Sequence, residues 1–204
     1  MATKRSDFTI SRELSYLLRH GAEKAGLEMG SDGYVRLADI LARRNFAGVT
    51  VEDIQRVVTN NDKQRFRMEE RESPDSKKEL YIKATQGHTL KVADLSLIQI
   101  TTANMHEYPV VIHGTYKSCL PSIQRGGLSR MSRQHIHFAV GEPEEDGVIS
   151  GMRKTAEVMI YINLPLAISE GVSFFVSENR VILSPGDEHG YLSPRYFLRI
   201  VHRD

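Results

Sequence analysis

Apolar residues change their spacing about halfway along this 204-residue chain, from every third or fourth position to every second. That change limits the architecture more than any single motif. In the first half, Ile10, Leu14, Leu17 and Leu18 stand at helical intervals, so an amphipathic helix runs to Arg19-His20-Gly21. Cations in a last turn complement the helix dipole, and Gly21 reads as a left-handed residue just past the end. On local grounds this is ordinary helix punctuation. A turn at Ser31-Asp32-Gly33 precedes a short second helix carrying Val35, Leu37, Ile40 and Leu41. The stretch TVEDIQRVV opens on Thr50 with Asp53 three residues on, a capping-box variant, and Val51, Ile54, Val57 and Val58 form its buried stripe. QRFRME then alternates Phe66 and Met68 with Arg65 and Arg67, LYIKA returns, and the polar ERESPDSKKE between them reads as a loop. Three helices and a hairpin follow the order of a winged helix-turn-helix.

Residues from Val92 to Glu107 carry weak signals and read as a bridge. Beyond them YPVVIHGT, HIHFAV, VMIYINL, SFFV and RVILS read as strands, and YKSCLPSIQRGGL as a helix that starts near Pro121 and closes on Gly126-Gly127. The expected class is therefore α+β, with an N-terminal lobe over residues 1–100 and a mainly β lobe over 101–204.

Composition removes several functions. At 40% hydrophobic the chain can build a core, and no stretch has the length of a membrane span or the apolar run of a secretory signal. A single cysteine, Cys119, excludes an internal disulfide and fits a reducing, cytoplasmic or nuclear setting. Lys and Arg number 27 against 26 Asp and Glu, so anions are to be held at local clusters such as Arg43-Arg44, Lys63 to Arg67 and Arg130 to Arg133. Rossmann and P-loop glycine motifs are absent, as is H-E-x-x-H. His135 and His137 share a strand face without a carboxylate or cysteine nearby, which favours a plain histidine pair over a metal site. A strand ending in His113-Gly114-Thr115 offers an imidazole, a bare main chain and a hydroxyl, a combination suited to a planar amide or a ribose. Gly147 to Arg153, GVISGMR, offers a loop with an arginine.

Taken in order, LSYLLRHG, KQRF, QGH, HGT, MSRQHIHFA and GVISGMR resemble the NAD-dependent tRNA 2′-phosphotransferases, over about Ser11 to Gly186. Thr89 stands where a serine is expected after QGH. The resemblance implies a winged-helix lobe that takes RNA and a lobe like that of ADP-ribosyltransferases that takes NAD as co-substrate, with no metal. It implies a two-step reaction. The RNA 2′-phosphate attacks the nicotinamide-bearing ribose carbon and expels nicotinamide. The ribose 2″-hydroxyl then attacks phosphorus, leaving 2′-hydroxyl RNA and ADP-ribose 1″,2″-cyclic phosphate, the final step of tRNA splicing.

By the same resemblance the catalytic residues are Arg19, His20, Arg65 and Arg133. His113, Gly114, Thr115, His137, Ser150, Gly151 and Arg153 are implied to hold NAD, and Gln86, Gly87 and His88 to line the RNA side. The chemistry suits these residue types. Guanidinium groups match phosphate oxygens in pairs and stay charged, and an imidazole titrates near working pH. Where related protein-modifying transferases carry a glutamate on a later strand, this chain has Val181 or Ile182, with Glu178 close by. Two rivals remain: a winged-helix DNA regulator, weakened by the acid in EDIQRVVTNND, and a transferase that stops after the first step. A monomer is the default expectation.

Overall fold

Ser6 opens the first helix, α1 (Asp7–Tyr16), by accepting the Thr9 amide on its hydroxyl at 3.3 Å. The computed structural model describes residues 5–72, 76–142 and 151–203, and the chain forms two compact units, Met1–Leu95 and Ser96–Asp204. In the first unit α1 does not run on as an α-helix. It widens into a π-turn over Leu17–Gly21, which carries Arg19 and His20. Gly21 is not the left-handed residue expected there; Gly26, with φ of 65°, is. Gly21 serves packing instead, because a Cβ on it would stand 3.0 Å from a ring carbon of Tyr16.

After β1 (Val35–Arg36) and α2 (Leu37–Leu41), α3 (Val51–Thr59) starts with the full capping box: Asp53 amide to the Thr50 hydroxyl and Thr50 amide to the Asp53 carboxylate, both at 3.2 Å. Then β2 (Phe66–Glu72) and β3 (Lys78–Ala84) pair antiparallel, with β1 on the far side of β3. The expected loop from Glu70 to Glu79 is shorter than its composition suggested, because both strands continue into it. Charged side chains on those strands find partners: Lys78 meets Glu70 across the hairpin at 3.8 Å, and Arg71 lies 3.9 Å over the Tyr34 ring while bonding Asp32 and, on its own strand, Glu69 at 2.7 Å. Ile10, Leu14, Leu18, Ile40, Ile54 and Ile82 are buried in one core; each contributes about 1.5–3 kcal/mol of apolar burial.

The second unit is built on two antiparallel sheets. One orders β4 (Ile98–Ile100), β9 (Phe174–Val176), β10 (Ile182–Ser184) and β7 (Ile136–Phe138). The other places β8 (Val158–Ile162) between β5 (Ile112–Thr115) and β12 (Phe197–His202). A bridge between Ile112 and Ala139 joins them, and Phe138, Phe174, Ile182, Val158 and Ile160 share the core. YPVVIHGT is thus a strand only from Ile112, while β4 lies in the stretch of weak signals and β12 lies outside the runs that read as strands. The expected helix is α4 (Leu120–Gly126), with Pro121 in its first turn. Its end requires glycine: at Gly127, φ 90°, a Cβ would meet the Leu192 carbonyl at 2.3 Å. A short pair, β6 (Leu128–Ser129) with β11 (Tyr191–Leu192), and a helix, α5 (Leu164–Ser169), complete the unit. The protein is α+β, as its spacing implied.

Candidate active site

A π-turn spreads its carbonyls out of the α-helical ladder, and such turns are frequent at functional positions. Here the Arg19 carbonyl leaves the helix to accept the Thr89 amide at 3.0 Å and the Leu90 amide at 3.3 Å. The Thr89 hydroxyl also donates to it, at 3.3 Å, and lies 3.0 Å from His20 Nδ1. A hydroxyl has one proton, so both bonds coexist only if Nδ1 carries a hydrogen and donates. That makes Nε2 the acceptor nitrogen of neutral His20. Arg19 is steadied by Gly87. At φ 89°, a Cβ on Gly87 would stand 3.5 Å from Arg19 Nε, so the guanidinium lies against bare main chain. Gln86 and His88 on either side are buried, and His88 Nε2 is 3.8 Å from where a Cβ on Gly33 would be.

The same strand end holds Arg65. Its carbonyl accepts the Thr85 amide at 2.9 Å, and its own amide donates to Asn61 Oδ1 at 3.1 Å. Residues 85–89 therefore tie Arg65 at one end and Arg19-His20 at the other. Burial lowers the pKa of Arg65, with Asp62 pulling the other way. Among the described residues Arg65 makes no ion pair.

In the second unit a cleft of about 730 Å³ is walled by His113, Thr115, Arg133, His135, His137 and Arg153, with Arg130 beside them. No carboxylate is among its described lining residues. His113 Nδ1 is 2.9 Å from the His137 carbonyl, which can only accept, so Nδ1 is protonated. Burial lowers the His113 pKa despite that bond, so near neutral pH its Nε2 is an acceptor. Strand alternation turns Thr115 to the same side as His113, and Gly114 away from it. A Cβ on Gly114 would fall 2.2 Å from Met152 Cγ and 2.9 Å from Ala156 Cβ. Gly114 admits a protein side chain, where open main chain for a ligand had been expected.

The loop before β7 is closed by its own arginine. Arg130 Nη1 donates to the Arg133 carbonyl at 2.7 Å, and the Arg133 amide donates to the Arg130 carbonyl at 3.1 Å. Burial, then the charge of Arg153, lowers the pKa of Arg133. Two guanidinium groups that repel across a carboxylate-free wall make a seat for an anion. Arg153 Nη1 donates to Tyr116 Oη at 3.3 Å, and Tyr116 Oη is 3.0 Å from Thr155 Oγ1. Gly151, φ 106°, presses on β7, since a Cβ there would stand 2.6 Å from the Phe138 carbonyl. Ser150 lies outside the described residues. Val181 and Ile182 are fully buried, and Glu178 lines a separate hollow with Tyr108 and Arg180.

Sequence reading passed over Thr89 as a positioning group, Arg130 as part of the wall and Tyr116 as a partner of Arg153. Arg130 stood in a recognised basic cluster, and Tyr116 follows HGT directly. Among the described residues no three of His, Cys, Asp and Glu gather as a metal site requires, and no helix is long and apolar enough to cross a membrane.

Comparison with known proteins agrees with these motifs. Residues 5–186 match the profile of the RNA 2′-phosphotransferase, Tpt1 / KptA family. The chain belongs to that family. It is 47% identical over 194 residues to tRNA 2′-phosphotransferase 1 of Danio rerio, covering 95% of this chain and 84% of that protein. It is 46% identical to tRNA 2′-phosphotransferase 1 of Homo sapiens over 94% of this chain and 74% of that one. With tRNA 2′-phosphotransferase of Saccharomyces cerevisiae it shares 39% identity, over 87% and 78%. A family of phosphotransferases makes this protein a transferase.

Proposed function

We propose that this protein moves an internal 2′-phosphate of RNA, such as the splice-junction phosphate of ligated tRNA, onto NAD. The first unit is read as a winged-helix RNA lobe and the second as an ADP-ribosyltransferase-like lobe, acting in the cytoplasm or nucleus as a monomer without a metal. The observation that carries this reading is the carboxylate-free cleft of the second unit, where His113, Thr115, Arg133, His137 and Arg153 stand together. It fits NAD on chemical grounds. His113 Nε2 is an acceptor for an amide N–H or a ribose hydroxyl, and the arginines suit a pyrophosphate. Its size lies in the range of small-molecule sites, roughly 300–1,000 Å³. Bound there, NAD supplies a ribose carbon with nicotinamide as leaving group.

The RNA 2′-phosphate oxygen forms the bond to that carbon as nicotinamide departs, and the phosphate is then passed to the ribose 2″-hydroxyl, with the RNA 2′-oxygen leaving. Arg19, Arg65 and Arg133 act on the phosphate oxygens, and charge stabilisation by one such donor is worth about 10²–10³ in rate. His20, with Thr89 on Nδ1, presents Nε2 to the phosphate. It takes the 2″-hydroxyl proton in the second step and returns a proton to the RNA 2′-oxygen. Gln86, Gly87 and His88 back Arg19 from inside. Val181 and Ile182 leave no carboxylate to activate a protein nucleophile, which favours phosphate as the attacking group.

The test is to incubate the protein with NAD and an RNA bearing one internal 2′-phosphate. The expected products are 2′-hydroxyl RNA, nicotinamide and ADP-ribose cyclic phosphate. A stable ADP-ribosylated RNA as end product supports the one-step rival instead, and no NAD-dependent change overturns both.

A further inference from the structure

Phe8, Arg12 and Tyr16 recur every four residues along α1, the interval that sets side chains above one another on a helix, and His20 and Lys24 continue the spacing through the π-turn and the turn after it. Ile10, Leu14 and Leu18 take the buried side of the same segment, so this row faces out. Phe8 is 75% exposed and Tyr16 is 61% exposed. Two aromatic rings in water on one helix, alternating with cations, are more than a solvated face requires. Rings interleaved with positive charge are what a single strand of nucleic acid stacks on, since every base has a flat apolar face and every linkage an anion.

The row leads to the candidate site. Tyr16 and His20 have ring centroids 5.9 Å apart, and the missing side chain of Gly21 lets the Tyr16 ring lie close. Beside Tyr16 is a hollow of about 490 Å³ with Leu17, Ala25 and Phe46 in its wall and Arg12, Lys24 and Arg43 around it. Glu13, the carboxylate among its described lining residues, is already met by Arg5 at 2.8 Å, so the field at the hollow is positive.

We propose that the outer row of α1, with Lys24 in the turn that follows the π-turn, is a track for the single-stranded RNA that adjoins the 2′-phosphorylated nucleotide. One base stacks on Tyr16 beside the hollow and another on Phe8, about 12 Å away by helix rise, while Arg12 and Lys24 face the linking phosphates. The track rests on the reading of His20 as a phosphate contact. It adds a recognition surface for flanking nucleotides to the reacting group.

The test uses the full chain and a fluorescein-labelled single-stranded RNA hexamer with no 2′-phosphate, without NAD, read by fluorescence anisotropy. Tyr16→Leu, which keeps an apolar cover over Gly21, is expected to weaken binding about tenfold, the scale of one lost base stack. Phe8→Ser is expected to weaken it about threefold, and Tyr16→Phe to retain it. Arg12→Gln is expected to lower the salt slope of log K by about 1. Undetectable binding by the wild type, or equal affinity in the Tyr16→Leu/Phe8→Ser double variant, overturns the track. So does equal displacement of the hexamer by an acidic peptide of matched charge. Because no phosphate transfer occurs in this assay, the track can fail while transfer to NAD stands, and the reverse.

Discussion

Arg56 on α3 and Arg65 at the start of β2 belong to the same unit and are held in opposite ways. Arg56 reaches Asp7 at 2.8 Å and Asp53 at 2.7 Å, and both carboxylates raise its pKa. Arg36 is likewise raised by Asp39 and Glu79. Arg65 is placed by main-chain bonds instead, and burial lowers its pKa. Arg133 repeats this in the second unit, fixed through its carbonyl and amide and lowered by burial and Arg153. A guanidinium already matched by carboxylates has little charge left to offer a ligand. One held by its backbone, with its charged head partly desolvated, is better off when an anion arrives. Under the proposed function, the contrast separates arginines that hold the fold from arginines kept for a substrate.

The sharpest way to break that contrast is to remove each kind. Arg65→Ala and Arg133→Ala should each lower single-turnover phosphate transfer by at least about 10²-fold. Their melting temperatures should match or exceed the wild type's, because the deleted charge was costly where it stood. A marked fall in melting temperature alongside retained transfer would put both residues with Arg56. His20→Ala should slow release of 2′-hydroxyl RNA by about 10²-fold or more if it moves the proton. Unchanged release removes it from the mechanism.

Much of the helical unit was legible because its signals are local. Ile10, Leu14 and Leu18 mark one face, and Thr50 with Asp53 marks a helix start through bonds spanning three residues. Gly21 was misread because the bonds that open the π-turn come from Thr89 and Leu90, far along the chain. The extension of β2 and β3 depends on partners across the hairpin, so a polar composition read alone gives a loop. Gly114 shows the same limit: its neighbour Met152 arrives from another part of the sequence. Motif resemblance named residues on both units, but no spacing announces that residues 85–89 support Arg19 and Arg65 together. Nor does one announce that Arg130 closes the loop of Arg133. Such facts come from non-local pairing.

Thr89 tests positioning separately from charge. Its hydroxyl fixes the His20 tautomer, and one such bond is worth about 1 kcal/mol net, so Thr89→Val should slow transfer about fivefold to tenfold. Thr89→Ser should keep the wild-type rate. Nitrogen chemical shifts of the His20 ring check the cause: the wild type should show Nδ1 protonated and Thr89→Val should not. Equal rates and equal tautomers in all three proteins would make the contact incidental. Arg56→Ala is the complementary case. Its side chain is partly exposed, so the paired carboxylates are screened, and the expected outcome is a small drop in the urea midpoint with transfer rates intact.

The smallest effect expected is a pH dependence in the second unit. Burial lowers the pKa of His113, and burial with Arg130 lowers that of His135. An unfolded histidine takes its proton near pH 6.5, before the buried ones do, so the unfolded chain binds more protons as the solution is acidified. Stability contributed by these residues is therefore complete above about pH 6.5 and falls as pH drops, until the folded rings protonate as well. The wild-type urea midpoint should decline from pH 8 to pH 5, and His113→Gln, whose amide still offers a donor to the His137 carbonyl, should decline less. Acidification past the lowered pKa of folded His113 protonates Nε2 and removes the acceptor assigned to NAD, so NAD affinity should hold through the window in which stability falls and weaken below it. If His113→Gln keeps the full acid loss of stability, the imidazole is not held neutral by burial, and the acceptor role argued for it fails with that assumption.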